Sequence, residues 1–153
     1  MLFKTHKDMT LPLANYIITT ILPSILKTGQ SDNTYKLAIF MIDDMVEHLG
    51  YERLQENWFY FSTVLVNFTR EKNCEIRQAA CYGLGILAER TPSNVSTNEI
   101  IEGWLQNLIT ASRFLKGSEK EKTFGHCRDN SVASIGKIIK VHAEKVNAPN
   151  YLQ

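Results

Sequence analysis

The chain has 153 residues, 44% of them hydrophobic and 22% charged, with a formal net charge of +1. That length suits one ordinary domain with a core of its own, and the composition excludes a disordered or low-complexity polypeptide. Balanced charge removes the basic excess of a general nucleic-acid binder, so direct contact with nucleic acid is not expected.

The N-terminal MLFKTHKDMT lacks the apolar core of a secretory signal, and no apolar run approaches the ~18 residues of a membrane span. No membrane attachment is expected, and Asn67-Phe-Thr and Asn94-Val-Ser are read as chance matches to the glycosylation pattern. The first predicted helix covers about Leu11 to Lys27, with Ala14, Ile18, Ile21 and Ile25 on its buried side. Pro23 falls inside it and predicts a kink or break. A second helix follows from Asn33 to Leu49, capped by Asp32 or Ser31. The third, Arg53 to Arg70, spaces Leu54, Trp58, Phe61, Leu65 and Phe68 alternately by four and three. Asn73 caps the fourth, Cys74 to Arg90, and Thr91-Pro92 stops it. Ser96-Thr-Asn-Glu99 has the spacing of a capping box and opens the fifth, which carries Ile101, Leu105, Leu108 and Leu115 to about Phe114 or beyond. The sixth begins within Ser118–Lys122, ends near His142, and is expected to bury Val132, Ile135 and Ile139.

Two glycines two residues apart, Gly83 and Gly85, stand mid-helix in the fourth element, where each costs about 1 kcal/mol relative to alanine. Comparison of the even-numbered helices explains them. Arg77 followed by Ala79, Ala80, Gly83, Leu84 and Gly85 is echoed 51 positions later by Arg128, Ser134, Ile135 and Gly136. The same pattern is echoed 41 positions earlier by Lys36, Ala38, Ile39 and Ile42. A basic residue, small mid-helix residues and an aliphatic seam recurring roughly every 40–50 residues are the period of two-helix solenoid repeats. The small residues then read as positions where a facing helix comes close. The expected fold is all-α: a HEAT-repeat α-solenoid fragment of about three antiparallel helix pairs in a right-handed superhelix. Repeats are placed at 1–50, 51–92 and 93–145, with 146–153 reading as the start of a further helix cut short. A closed six-helix bundle is the alternative.

Three runs in order, Lys36 to Gly50 (KLAIFMIDDMVEHLG), Glu75 to Glu89 (EIRQAACYGLGILAE) and Asn130 to Glu144 (NSVASIGKIIKVHAE), resemble successive inner helices of the importin-beta (karyopherin-beta) superfamily, in its importin-beta-three type. The resemblance covers about Leu11 to Ala148. It implies a nuclear transport receptor that carries protein cargo with basic signals through the pore. Such a receptor binds phenylalanine-glycine nucleoporins, releases cargo under Ran-GTP, and shuttles between cytoplasm and nucleus. A HEAT scaffold for another complex, such as a phosphatase or a chromatin assembly, is the alternative.

At 100° per residue, Lys36, Asp43 and Glu47 fall almost in line on the second helix, with Asp44 and His48 beside them. Asp43, Asp44 and Glu47 are therefore candidate contacts for a basic partner or Ran, or inter-repeat partners of Arg77. Phe59, Tyr60 and Trp104 are candidate phenylalanine-glycine contacts, because the resemblance places such pockets between outer helices. Cys74, Cys81 and Cys127 contain no Cys-x-x-Cys pair, so neither a disulfide framework nor a zinc site is expected, and a reducing intracellular setting is. No catalytic constellation, metal or cofactor is expected: His48 follows Glu47 directly, without the spacing of carboxylate-bridged metal sites, and no nucleophile is arranged around the other histidines.

Overall fold

The structure, a computed structural model, describes residues 10–113 and 121–146, and every element among them is helical. α1 spans residues 11–25 in three consecutive pieces, Leu11–Tyr16, a π turn Ile17–Ile21 and Leu22–Ile25. α2 is Asp32–Leu49, and α3 is Trp58–Phe68, preceded by a helical turn Tyr51–Leu54 and a 3-10 turn Gln55–Asn57. α4 is Cys74–Arg90, α5 is Asn98–Ser112 and α6 is Glu121–His142, followed by a 3-10 turn Ala143–Lys145. No described helix is long and apolar enough to cross a membrane. Leu115 and most of the tail at 146–153 lie outside the described residues.

Local chemistry accounts for most boundaries. The Ser31 hydroxyl accepts from the Thr34 N–H at 3.2 Å and opens α2, while Asn73 Oδ1 accepts from the N–H groups of Glu75 and Ile76 and opens α4. Thr97, rather than Ser96, caps α5 by accepting from the Ile100 N–H, and with isoleucine at the third position the expected capping box does not form. Ser96 is instead buried, its hydroxyl 3.4 Å from His142 Nδ1. Pro23 breaks α1 upstream of itself. Having no N–H, it cannot continue the regular ladder, and the preceding turn widens so that the Leu22 N–H reaches the Ile17 carbonyl. The wider turn moves the buried face to Ala14, Ile18 and Leu22, leaving Ile21 and Ile25 only partly covered.

The third helix departs from the uninterrupted Arg53–Arg70 span. The backbone turns at Gly50 with φ +74, a conformation that favours glycine, and leaves α geometry again at Leu54 and Asn57. This seats Tyr51 edge-on against Trp58, with ring centroids 5.4 Å apart. All five expected core residues of that region, from Leu54 to Phe68, are buried.

The cross-helix bonds define a consistent register. Asn73 Nδ2 donates to Asp32 Oδ2 at 2.7 Å and Lys36 Nζ to Glu75 Oε2 at 2.7 Å, so α2 and α4 run parallel. Asn130 Nδ2 donates to the Gln78 carbonyl, Ser134 Oγ to the Cys81 carbonyl at 2.7 Å, and His142 Nε2 lies 3.0 Å from the Ala88 carbonyl, so α4 and α6 run parallel too. The Trp104 indole donates to Ser62 Oγ, and Arg70 Nε to Asn107 Oδ1, which aligns α5 with α3. Between these sets the sense reverses: the Trp58 indole donates to Thr91 Oγ1 while Leu65 lies at Gly83, making α3 antiparallel to α4. Two layers result, α2–α4–α6 and α3–α5, with the core of Ile39, Ile42, Phe61, Leu84, Leu87 and Leu108 between them.

Both glycines in α4 are close-approach positions, and they face opposite ways, since residues two apart on a helix differ by about 200°. A Cβ at Gly83 would fall 1.9 Å from Asp43 Oδ1, and one at Gly85 2.2 Å from Ser134 Oγ and 2.6 Å from its Cβ. The contact on α6 corrects one expectation. Val132 and Ile139 are exposed and Ile135 is half-buried, whereas Cys127, Ser131, Ser134, Ile138 and His142 are buried. Where the two helices come closest, Ser131 and Ser134 face inward and Val132 and Ile139 turn away, while Ile138 and His142 are buried further along α6.

Candidate functional site

The acidic residues of α2 line an open groove of about 660 Å³ between α2 and α4, with Asn130 of α6 at its edge. Lys36, Phe40, Asp43 and Glu47 recur at intervals of four, three and four, which places them on one face of α2. Glu75, Gln78, Ala79 and Tyr82 supply the opposite wall by the same periodicity on α4. The predicted trio Asp43, Asp44 and Glu47 is thus brought together in one groove.

Each acid sits differently. Asp44 is half-exposed, with Oδ1 4.0 Å from His48 Nε2, and Glu47 is partly covered. Glu75 on the facing wall is paired with Lys36. Asp43 is only 7% exposed, and its Oδ1, pressed towards Gly83, has no hydrogen-bond partner. Burial first, then the neighbouring charges of Asp44 and Glu47, push its carboxyl well above the ordinary carboxylate range. Two aromatic rings flank the acids: Phe40 is 55% and Tyr82 40% exposed. Lys137 Nζ stands 5.2 Å from the centre of the Tyr82 ring, in cation–π range. A groove with carboxylates along its floor and open aromatic faces at its sides matches an extended chain carrying lysine or arginine.

Arg77 is not part of this surface. It is fully buried, and its Nη1 donates to the carbonyls of Glu71 and Lys72 at 2.8 and 2.9 Å, tying down the turn that leads into α4. Position 77 lies off the face formed by 75, 78, 79 and 82, so the expected contact between Arg77 and the acidic stripe is replaced by Lys36–Glu75.

Phe59 and Tyr60 point outward, 41% and 39% exposed, but into different places. Phe59 shares a shallow groove of about 290 Å³ between α3 and α5 with Trp104, whereas Tyr60 lines a second groove with Tyr35. Trp104 itself is 2% exposed and engaged with Ser62, so it forms the groove's floor and holds α5 to α3.

Glu75 and Tyr82 are groove residues that reading α2 alone missed. Their signal was available in the seven-residue recurrence of Glu75 and Tyr82 on α4. Among the described residues, no group of three or more His, Cys, Asp or Glu side chains is placed to hold a metal ion. No known protein-family model matches the chain.

Proposed function

We propose that the chain is a protein-binding array of paired helices, a HEAT-type segment of a nuclear transport receptor of importin-beta kind, whose α2–α4 groove takes a basic segment of a cargo protein. The observation that carries the reading is the groove itself: Asp43, Asp44 and Glu47 beside the open rings of Phe40 and Tyr82. Parallel helices, offset by 39–41 residues from α2 to α4 and by 52–54 from α4 to α6, support the repeat architecture, and the order of the three inner-helix motifs supports the transport reading. In this reading the Phe59–Trp104 groove on the other layer receives phenylalanine-glycine segments of nucleoporins, and the protein shuttles between cytoplasm and nucleus.

The test is fluorescence anisotropy with a labelled lysine- and arginine-rich peptide and an acidic control of equal length. Binding of the basic peptide alone, weakened about tenfold (about 1.4 kcal/mol) in a variant carrying Asp44→Ala and Glu47→Ala, is the expected outcome. Capture of Ran-GTP and of phenylalanine-glycine repeats by the full-length protein tests the transport assignment separately. Failure of both captures with retained peptide binding would leave a HEAT scaffold of other purpose.

A further inference from the structure

The acidic groove already holds a cation, and it is the chain's own. Lys36 and Glu75 stand on its opposite walls, and Lys36 Nζ donates to Glu75 Oε2 at 2.7 Å. The Lys36 side chain is 24% and the Glu75 side chain 59% exposed, so the bridge lies at the open side of the groove. Such a pair adds little to stability, because water screens it and two long side chains must be ordered to make it. The helices do not depend on it. Asn73 Nδ2 and Asp32 Oδ2 tie the same ends of α4 and α2 together at 2.7 Å. Glu75 also stands in the first turn of α4, where the helix dipole favours a carboxylate with or without a lysine beside it. Lys36 is thus an occupant of the groove more than a fastener of its walls. It leaves one acid unserved: Asp43, more than nine-tenths buried at the same wall, keeps an oxygen that no group of the chain satisfies.

We propose that the groove takes its partner by cation exchange: an arginine of the partner displaces Lys36 from Glu75 and keeps that carboxylate for itself. The exchange rests on the groove being a site for a basic segment, and it names the residue the site selects. One lysine replacing another on Glu75 makes the same single-point contact and gains nothing. A guanidinium is planar and presents two parallel N–H groups to the two carboxylate oxygens, so the exchange runs in its favour. Phe40, one helical turn beyond Lys36 and 55% exposed, lines the same groove and offers a ring face on which a guanidinium stacks. The displaced Lys36 ammonium returns to water. The groove's other resident cation is placed differently. Lys137 of α6 stands on the Tyr82 ring, and its own carboxylate, Glu89 at 3.7 Å, lies off the groove. Lys36 is therefore the cation whose removal uncovers an acid inside the groove.

The test uses two labelled peptides of one sequence, with arginine at every basic position in the first and lysine in the second. Their affinities are read by anisotropy for the unaltered 153-residue chain and for Lys36→Met, Lys36→Arg and Lys140→Met. The arginine peptide should bind the unaltered chain at least about threefold more tightly. Lys36→Met should tighten both peptides by about threefold, the scale of an exposed ion pair. Lys36→Arg keeps the charge but grips Glu75 with two hydrogen bonds, and should weaken both by a similar factor. Lys140→Met removes the same charge from a side chain 76% exposed and off the groove, and should change binding less than Lys36→Met. Equal affinity for the two peptides, or Lys36→Arg binding as the unaltered chain does, would overturn the exchange and leave the basic-segment reading standing. So would equal gains from Lys36→Met and Lys140→Met, which charge alone would produce. Binding of neither peptide to any of the four chains at low salt would overturn that reading, and the exchange with it. Should Lys36→Met lose its helical circular dichroism, the peptide pair and Lys36→Arg still decide.

Discussion

α4 has two flanks built by the same device and finished with different chemistry. Towards α6, Gly85 lets Ser134 in, and the serine hydroxyl is fully used, donating to the Cys81 carbonyl at 2.7 Å. Towards α2, Gly83 lets Asp43 in, and the carboxyl oxygen that arrives has no hydrogen-bond partner. A buried, satisfied hydroxyl stabilises a contact, whereas a buried, unsatisfied carboxyl weakens one. The α4–α6 flank therefore serves cohesion. The α2–α4 flank gives up stability by holding an unpartnered carboxyl oxygen at the wall of an open groove.

The largest break in this comparison should come from Gly85→Ala. The new methyl would meet Ser134 Cβ at 2.6 Å and its backbone Cα at 3.0 Å, so the helices themselves must separate. A loss of about 2–3 kcal/mol in denaturant unfolding is expected, with partial recovery on adding Ser134→Gly. Gly83→Ala should cost less, about 1 kcal/mol, because its main obstacle is the end of a side chain that can swing into the groove. In an Asp43→Ala background the same change should cost still less, since only Leu65 Cδ2, 3.0 Å from the new methyl, then opposes the gain in helix propensity.

Asp43→Asn sharpens the comparison through pH. With the folded-state carboxyl raised by burial and by Asp44 and Glu47, the folded chain holds a proton that the unfolded chain releases near pH ~4. Below that value both states are protonated and stability is complete. As pH rises through the raised folded value, stability is lost. The asparagine variant should melt above the unaltered chain at pH 7, with the gap narrowing towards pH 4, in paired thermal melts. An equal gap at both values would show that Asp43 is charged in the fold.

Much of this was legible from sequence where a single local rule decides. The ends of α4 follow from Asn73 and Thr91-Pro92, and the two glycines point to close neighbours because nothing else offsets their propensity cost. What hydrophobicity could not reveal was the inner face of α6, since serines and a cysteine outrank valine and isoleucine wherever backbones nearly touch. The acidic stripe was legible from periodicity on α2, but its facing wall and the retreat of Arg77 into the turn before α4 depend on how two helices meet. Pro23 signalled a disruption, while its form, a widened turn upstream, depends on which carbonyl the neighbouring N–H can still reach.

The even register of the cross-helix bonds also bears on how the molecule assembles and comes apart. Those named here join residues 33 to 54 apart, about one helix pair along the chain. Contacts of this span leave only a short loop to close at each step. With α2 on one side and α6 on the other, α4 becomes the last segment whose amides exchange with solvent, and both glycines lie within it.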